Sequence, residues 1–244
     1  MNSSYLSLFE NEEEFNIAES EGKLLKPNVS YIKESQSIKY RAFDPYNGYE
    51  YVDLGLPSGL KWAKCNIGAE KESDYGLYFA WGEVIGYKDA SSGKSFSWED
   101  YKWGNGGEWQ CDGSCQTKYT PSDGLITLLP EDDAAFINMG GNWRMPSKEE
   151  YEELINNTTN TWTTVNGVNG RLFTGNNGNT LFFPASGIYV EDYVSSSYSG
   201  DYWSSSLSSS LPGSAFSLSI SSRYCHIVDT YVRHWGQGLR GVIK

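Results

Sequence analysis

Four cysteines and two histidines are the residues most able to do chemistry in this 244-residue chain. Cys111 and Cys115 form a C-x3-C pair inside the Gly-rich stretch GNGGEWQCDGSC, while Cys65 and Cys225 stand apart. A structural zinc takes four Cys or His ligands, and besides the other cysteines only His226 and His234 are on offer. The pair therefore reads first as two loop thiols, with a local disulfide and half of a metal site as the alternatives. We expect no metal and no cofactor. The acidic trio Glu131-Asp132-Asp133 is the next candidate. Calcium binds such oxygens, but carboxylates at a helix start are already favoured by the positive end of the helix dipole. No Ser-His-Asp order, P-loop or zinc-helix motif is present. With two histidines, acid–base work would fall on carboxylates, and no pair of them stands out. The case for an enzyme is weak.

These residues need elements to position them. The acidic trio's segment reads as a helix opening at Pro130, a favoured first-turn residue, followed by the trio and stopping at Gly140-Gly141. A second helix has a capping box, Ser147 with Glu150 three residues on, and an apolar face at Tyr151, Leu154 and Ile155. YVDLGLPSGLKWAKCNIGA reads as two strands around Pro57-Ser58-Gly59, and YGLYFAWGEV as a strand of alternating rings. After residue 160 the chain reads as strands and loops: TWTTVNGVNGRLF, NTLFFPASG, YWSSS, SAFSLSI and LRGVI. The class is α+β. Residues 1–45 differ in texture. They suggest a short helix carrying Leu8, Phe9, Phe15 and Ile17, then a hairpin in which Val29 and Tyr31 face Ile38 and Tyr40. That piece is too small for its own core, so we read 1–45 as an attachment or oligomerisation segment and 46–244 as the main domain.

Composition excludes several functions. The net charge is −12 and the pI about 4.6, which argues against nucleic acid, since phosphate binding needs clustered Lys and Arg. Aromatics at 15% give enough burial to exclude general disorder. No apolar run approaches the length of a membrane span. The opening MNSSYLSLFENEEEF has neither a basic n-region nor an apolar core, so we expect no secretory signal; work outside the cell would need another route or a particle.

The C-terminal stretch has the most unusual composition. Residues 193–243 contain no Lys, Glu or Met, whereas the residues before them hold 12 Lys, 19 Glu and 3 Met. Fifteen of the 28 residues from 195 to 222 are Ser. A Ser-rich linker is one reading and a low-charge strand face another. The embedded YWSSS and SAFSLSI favour an ordered binding surface, because Tyr gives contact area at low entropy cost and Ser gives space and hydrogen bonds. Randomising the adenines of an Asn codon can give Ser, Tyr, His, Asp, Val, Leu, Phe, Gly, Ala or Arg, but never Lys, Glu, Met, Trp or Gln. On that scheme Trp203, Trp235 and Gln237 are framework. Ser209, Leu211, Ser214, Phe216, Arg223, Tyr224, His226, Val228, Asp229, Tyr231 and His234 are the candidate ligand-binding residues, expected to crowd one solvent-facing surface.

The motifs YVDLGLPSGLKWAKCNIGA, YGLYFAWGE, EDDAAFINMGGNWRMPSKEEYEEL, NGNTLFFPASG, YWSSS and RHWGQGLRGV resemble a C-type-lectin-like domain of the formylglycine-generating-enzyme type. The resemblance spans residues 49–242, about four-fifths of the chain. With a hypervariable C-terminal segment it is similar to the variable proteins of diversity-generating retroelements in gut bacteria and their phages. It implies two helices packed beside small twisted antiparallel sheets, and framework roles for Trp143, Arg144, Pro146, Trp203, Ser204, Ser205, Arg233, Gly236 and Arg240. The enzyme relative uses two nearby C-terminal cysteines; Cys225 stands alone here, which removes that oxidase chemistry. The Glu-Pro-Asn sugar motif of calcium lectins is absent. The resemblance implies a ligand- or receptor-binding protein on a phage virion, made in the bacterial cytoplasm, with a protein or glycan on a host cell as partner. It also allows a homo-oligomer and no membrane or nucleic-acid contact. A bacterial surface adhesion module is the alternative. Function lives in the site and not the fold.

Overall fold

The structure, a computed structural model, describes residues 30–34, 37–41, 46–89, 94–105, 115–191, 193–195 and 198–244. The chain divides into two compact units, Met1–Tyr51 and Val52–Lys244. In the first, β1 (Ser30–Glu34) and β2 (Ser37–Arg41) form the expected antiparallel hairpin, with Tyr31 opposite Tyr40. The expected helix over residues 8–17 lies outside the described residues.

The larger unit is α+β, built of small antiparallel sheets and two helices. β3 (Tyr51–Asp53) and β4 (Lys61–Ala63) form a sheet with the last strand, β13 (Val242–Ile243), in which Val242 faces Trp62. β5 (Thr158–Val165), β6 (Val168–Gly175) and β7 (Thr180–Pro184) make a meander. Its first turn is Asn166-Gly167, both at positive φ (51° and 82°), the backbone of a two-residue hairpin turn that Asn-Gly favours. β8 (Ile188–Val190) and β9 (Tyr193–Ser195) form a short hairpin. β10 (Ser199–Leu207), β11 (Ser214–Ser221) and β12 (Cys225–Val232) form the sheet that carries most of the candidate residues.

The helix expected from Pro130 is in fact two pieces. A 3-10 turn, Pro130–Asp132, precedes α1 (Ala134–Met139). Asp133 leaves the helical region because its carboxylate caps α1, accepting from Ala135 N at 2.9 Å and Phe136 N at 3.0 Å. The same carboxylate accepts from Met145 N at 2.9 Å, tying the following loop to the helix start. Gly140 ends α1 at φ 66°. α2 (Lys148–Asn157) has the expected capping box of Ser147 and Glu150, and Arg144 grips the Glu150 carboxylate with both terminal nitrogens. The strand expected in YGLYFAWGEV is absent. Gly76 and Gly82 sit at positive φ, and between them the backbone makes only isolated bridges, Tyr78 to Tyr87 and Phe79 to Gln237.

α2 lays Tyr151 and Leu154 into the main core, against Leu54, Trp62, Phe173, Phe183, Tyr202, Leu218, Ile220 and Val242. A second cluster holds Tyr78, Phe96, Trp98, Tyr101 and Tyr189. Trp143, Trp203 and Arg240 are completely buried, and the Trp203 indole donates to Phe79 O at 2.9 Å. Among the described residues no helix is long and apolar enough to cross a membrane. Replacing Trp143 or Trp203 by Ala is expected to destabilise the domain by about 3–5 kcal/mol, read from chemical denaturation. A change of melting temperature of only a degree or two would show that these rings do not carry the core.

A candidate ligand-binding face on the C-terminal sheet

Register decides which side chains share a face of this sheet, since directly opposed residues on antiparallel strands point the same way. Tyr202, Leu218 and Ile227 form one row, with Ile220 and Cys225 beside them, and this face packs on the main core. The opposite face carries the rows Asp201–Ser219–His226 and Trp203–Ser217–Val228. Between Ala215 and Ser217 the register slips. Ala215 faces Tyr231 and Ser217 faces Val228, so Phe216 is opposed by two residues, Asp229 and Thr230. Such a bulge turns the strand. It brings Tyr231 onto the same face as His226 and Val228, which plain alternation would not do.

The candidate residues divide accordingly. Arg223, Tyr224 and His226 are exposed at the β11–β12 turn, with the Tyr224 and His226 rings 4.9 Å apart. Val228, Asp229 and Tyr231 are half-buried along β12, and Ser209 and Leu211 are exposed in the β10–β11 loop. Ser210 Oγ meets Asp229 Oδ2 at 3.5 Å, linking loop to strand. Three members do not meet the expectation of a common exposed surface. Ser214 is buried, its hydroxyl donating to Thr230 O at 3.4 Å. His234 is buried between Trp98 and Trp235, and burial pulls its imidazole down to about 4, so it is neutral at pH 7. Phe216 belongs to the core-side face, where Lys148 Nζ sits 4.6 Å from its ring centroid. Sequence alternation alone left its direction open.

Sequence reasoning missed the polar groups beneath this face. Asp201 is 2% exposed and accepts from Ser219 Oγ at 2.6 Å; Tyr231 also hydrogen-bonds to it. Burial outweighs these bonds and pushes the Asp201 carboxyl up to about 6. The signal that was available is the lone Asp opening DYWSSS, a strand otherwise free of charge. Ser219, Asp201 and His226 share a row, but Ser219 bonds the carboxylate directly; nucleophilic catalysis needs the imidazole between them. Tyr193 and Tyr198, 69% and 73% exposed, were also missed. Tyr198 precedes Ser199, which faces Ser221 at the Arg223–Tyr224 end of the sheet.

The other chemical candidates are occupied. Asp132 takes Lys102 at 3.0 Å, Lys118 at 2.5 Å and the Tyr119 hydroxyl at 2.7 Å. Although burial opposes it, these partners hold its carboxyl below the usual range. Cys225 packs on the core, and burial pushes its thiol up to about 11, too high for a reactive thiolate near pH 7. Cys115 is disulfide-bonded, which corrects the reading of C-x3-C as two loop thiols; Cys111 lies outside the described residues. Cys65 and Cys225 are not joined in disulfides. No family model, curated protein or solved structure matches this chain.

Asp201 sets a pH dependence with a definite sign. Between about pH 4 and 6 the folded chain keeps a proton that the unfolded chain, with an ordinary Asp near 3.9, has released. Stability therefore falls as pH rises through that window, and the full cost, on the order of 3 kcal/mol, is present above it. Asp201→Asn removes a charge while keeping the acceptor for Ser219. We expect this variant to be more stable than the parent at pH 7.5 and to match it near pH 4, by denaturant titration at both. A gap that does not change with pH would mean the carboxyl is not desolvated.

Proposed function

We propose that this chain is a non-enzymatic, ligand- or receptor-binding protein of the C-type-lectin-like type, diversified at its C-terminal sheet by a retroelement and displayed on a phage particle. Its partner is a protein or glycan on a host cell surface. The observation that carries this reading is a division within the C-terminal segment. Residues 193–243 lack Lys, Glu and Met, and within them Arg223, Tyr224, His226, Asp229 and Leu211 lie exposed or half-buried, while Trp203, Gln237 and Arg240 lie fully buried. A residue that varies must not carry core packing, because most core substitutions cost stability. Two helices beside small antiparallel sheets, with the last strand closing on the first strands, support the C-type-lectin-like assignment. The framework arginines support it too: Arg233 and Arg240 donate to backbone carbonyls.

A bacterial surface adhesion module with a fixed face is the second reading. The disulfide at Cys115 favours it, since disulfides persist in oxidising compartments outside the cytoplasm.

Sequencing natural copies of the gene with their flanks separates the two. The proposal expects a reverse transcriptase gene beside a near-copy of the C-terminal coding segment, with changes concentrated at Leu211, Arg223, Tyr224, His226, Asp229 and Tyr231 and none at Trp203, Trp235 or Gln237. Uniform copies would overturn diversification. In the protein, replacing Leu211, Arg223, Tyr224, His226 and Asp229 together with Ser or Ala is expected to change stability little, since exposed substitutions fall within about ±0.5 kcal/mol each. Adsorption to cells that bind the parent should be abolished. Unfolding of that variant would show that the face is structural.

A further inference from the structure

The two edges of the C-terminal sheet differ. The outer side of β10 is closed along its length. Gly187 N donates to Ser199 O at 2.8 Å, Gly238 N to Asp201 O at 3.1 Å, Leu128 N to Ser205 O at 3.0 Å and Leu207 N to Ile126 O at 2.9 Å. β12 ends the sheet on the other side. Among the described residues, no hydrogen bond joins the backbone of residues 225–231 to any segment other than β11. In an antiparallel pair, alternate residues turn both N–H and C=O away from the neighbouring strand. The free side of β12 is therefore a row of main-chain donors and acceptors without a protein partner. Cys225, Ile227 and Val228 are half-buried and His226 is exposed, so no layer of the fold encloses the strand. Edge strands are commonly guarded by Lys or Pro, and β12 has neither. A bulge, another such guard, disturbs only the Asp229–Thr230 end, while residues 225–228 pair one for one with β11.

The chemistry of the edge selects its occupant. Donors and acceptors repeated along an extended backbone are matched by another extended backbone, which adds to the sheet as a strand. Charge selects further. A second copy of this chain would bring another −12 against the first, and like charge opposes association, whereas a basic segment is drawn in. Asp229, the one carboxylate on β12, stands beside the straight part of the edge. We propose that the free edge of β12 receives an extended, positively charged segment of a partner protein as the fourth strand of this sheet. The proposal rests on the reading of this sheet as ligand-binding, and it narrows the partner from protein or glycan to protein. Main-chain pairing is indifferent to which side chains a strand carries. A strand that varied at His226, Val228 and Asp229 would keep the affinity of its backbone while its side chains changed the sequence it prefers.

The test follows amide hydrogen exchange in the whole chain, labelled with nitrogen-15, with and without a capped octapeptide of alternating Lys and Val. In the free chain, alternate amides among residues 225–228 should exchange fast and those between them slowly. The peptide should slow the fast set by about tenfold once its concentration is about ten times its Kd. β5, which also ends its sheet but carries none of the candidate residues, should be unchanged. The same peptide methylated at every backbone nitrogen has no N–H to donate and should have no effect. A Glu-Val peptide should bind more weakly than the Lys-Val one. Asp229→Lys should weaken the Lys-Val peptide by about threefold to tenfold with little change in melting. Uniformly slow amides across β12 in the free chain would show that the edge is already paired and would overturn the proposal. No slowing by the Lys-Val peptide up to about 5 mM, or equal slowing by the methylated or the Glu-Val peptide, would overturn it too. Cell adsorption separates the two levels. Blocking of adsorption by excess Lys-Val peptide supports strand addition. Adsorption that the peptide leaves untouched would keep the binding function and overturn this mode, leaving a glycan or another surface as the contact.

Discussion

The larger unit depends on the burial of one guanidinium. Arg240 is completely shielded from solvent, and a buried cation is tolerated only when its hydrogen-bonding capacity is met. Its acceptors come from distant parts of the chain: Asn66 Oδ1 at 2.8 Å, Ala63 O at 3.1 Å, Lys64 O at 2.5 Å and Phe182 O at 2.9 Å. The group also lies 4.5 Å from the Phe183 ring centroid. Desolvation lowers its pKa, yet guanidinium stays charged in proteins. The end of β4, the meander strand β7 and the approach to β13 therefore have one relative arrangement that satisfies the cation. Other packings of the same apolar residues would strand a charge in hydrocarbon. Arg233 does the same for the second cluster, donating to Tyr119 O at 3.0 Å beneath the Trp81 and Tyr101 rings.

This framework divides the packing duties within one sheet. Its core-side residues, Tyr202, Leu218 and Ile220, are fixed by packing, and its outer strand and turn have few such duties. Asp201 sits between these regimes. A desolvated carboxyl is a poor way to add stability, and its retention makes sense where its bonds to Ser219 and Tyr231 orient a surface ring. Specificity of arrangement, in such a site, is held at the expense of stability.

Much of the fold was legible because its signals are local. The capping box at Ser147–Glu150, the turn at Pro57-Ser58-Gly59 and the alternation of SAFSLSI each follow from spacing within a few residues. What escaped depends on contacts that spacing does not encode. Asp133 looked like one of three helix-start acids, but its bond to Met145 N is a tertiary contact that breaks the helix there. The β12 bulge comes from register against β11, and without it Tyr231 would be assigned to the wrong face. Ser214 and His234 have residue types that suit a binding surface; their burial is set by what Trp98 and the β12 backbone place over them. The rim of the site was readable from composition. The buried polar groups beneath it were not, because Asp201 meets Ser219, and Ser217 meets Gln237, only after strands and a returning segment assemble.

The pairing of β13 with β4 also orders events during synthesis. Val242 faces Trp62, and the Arg240 bond to Ala63 O spans 177 residues. A ribosome makes β4 early and must finish nearly the whole described domain before its sheet partner emerges. Until then one edge of β4 is an unpaired strand flanked by apolar residues, a surface prone to pairing with the wrong chain. Contacts so distant in sequence also make for slow folding. A nascent chain cut short after β12 would carry Arg223, Tyr224 and His226, yet have neither the closing strand nor the arginine that locks the domain shut. Incomplete copies therefore keep that edge of β4 unsealed.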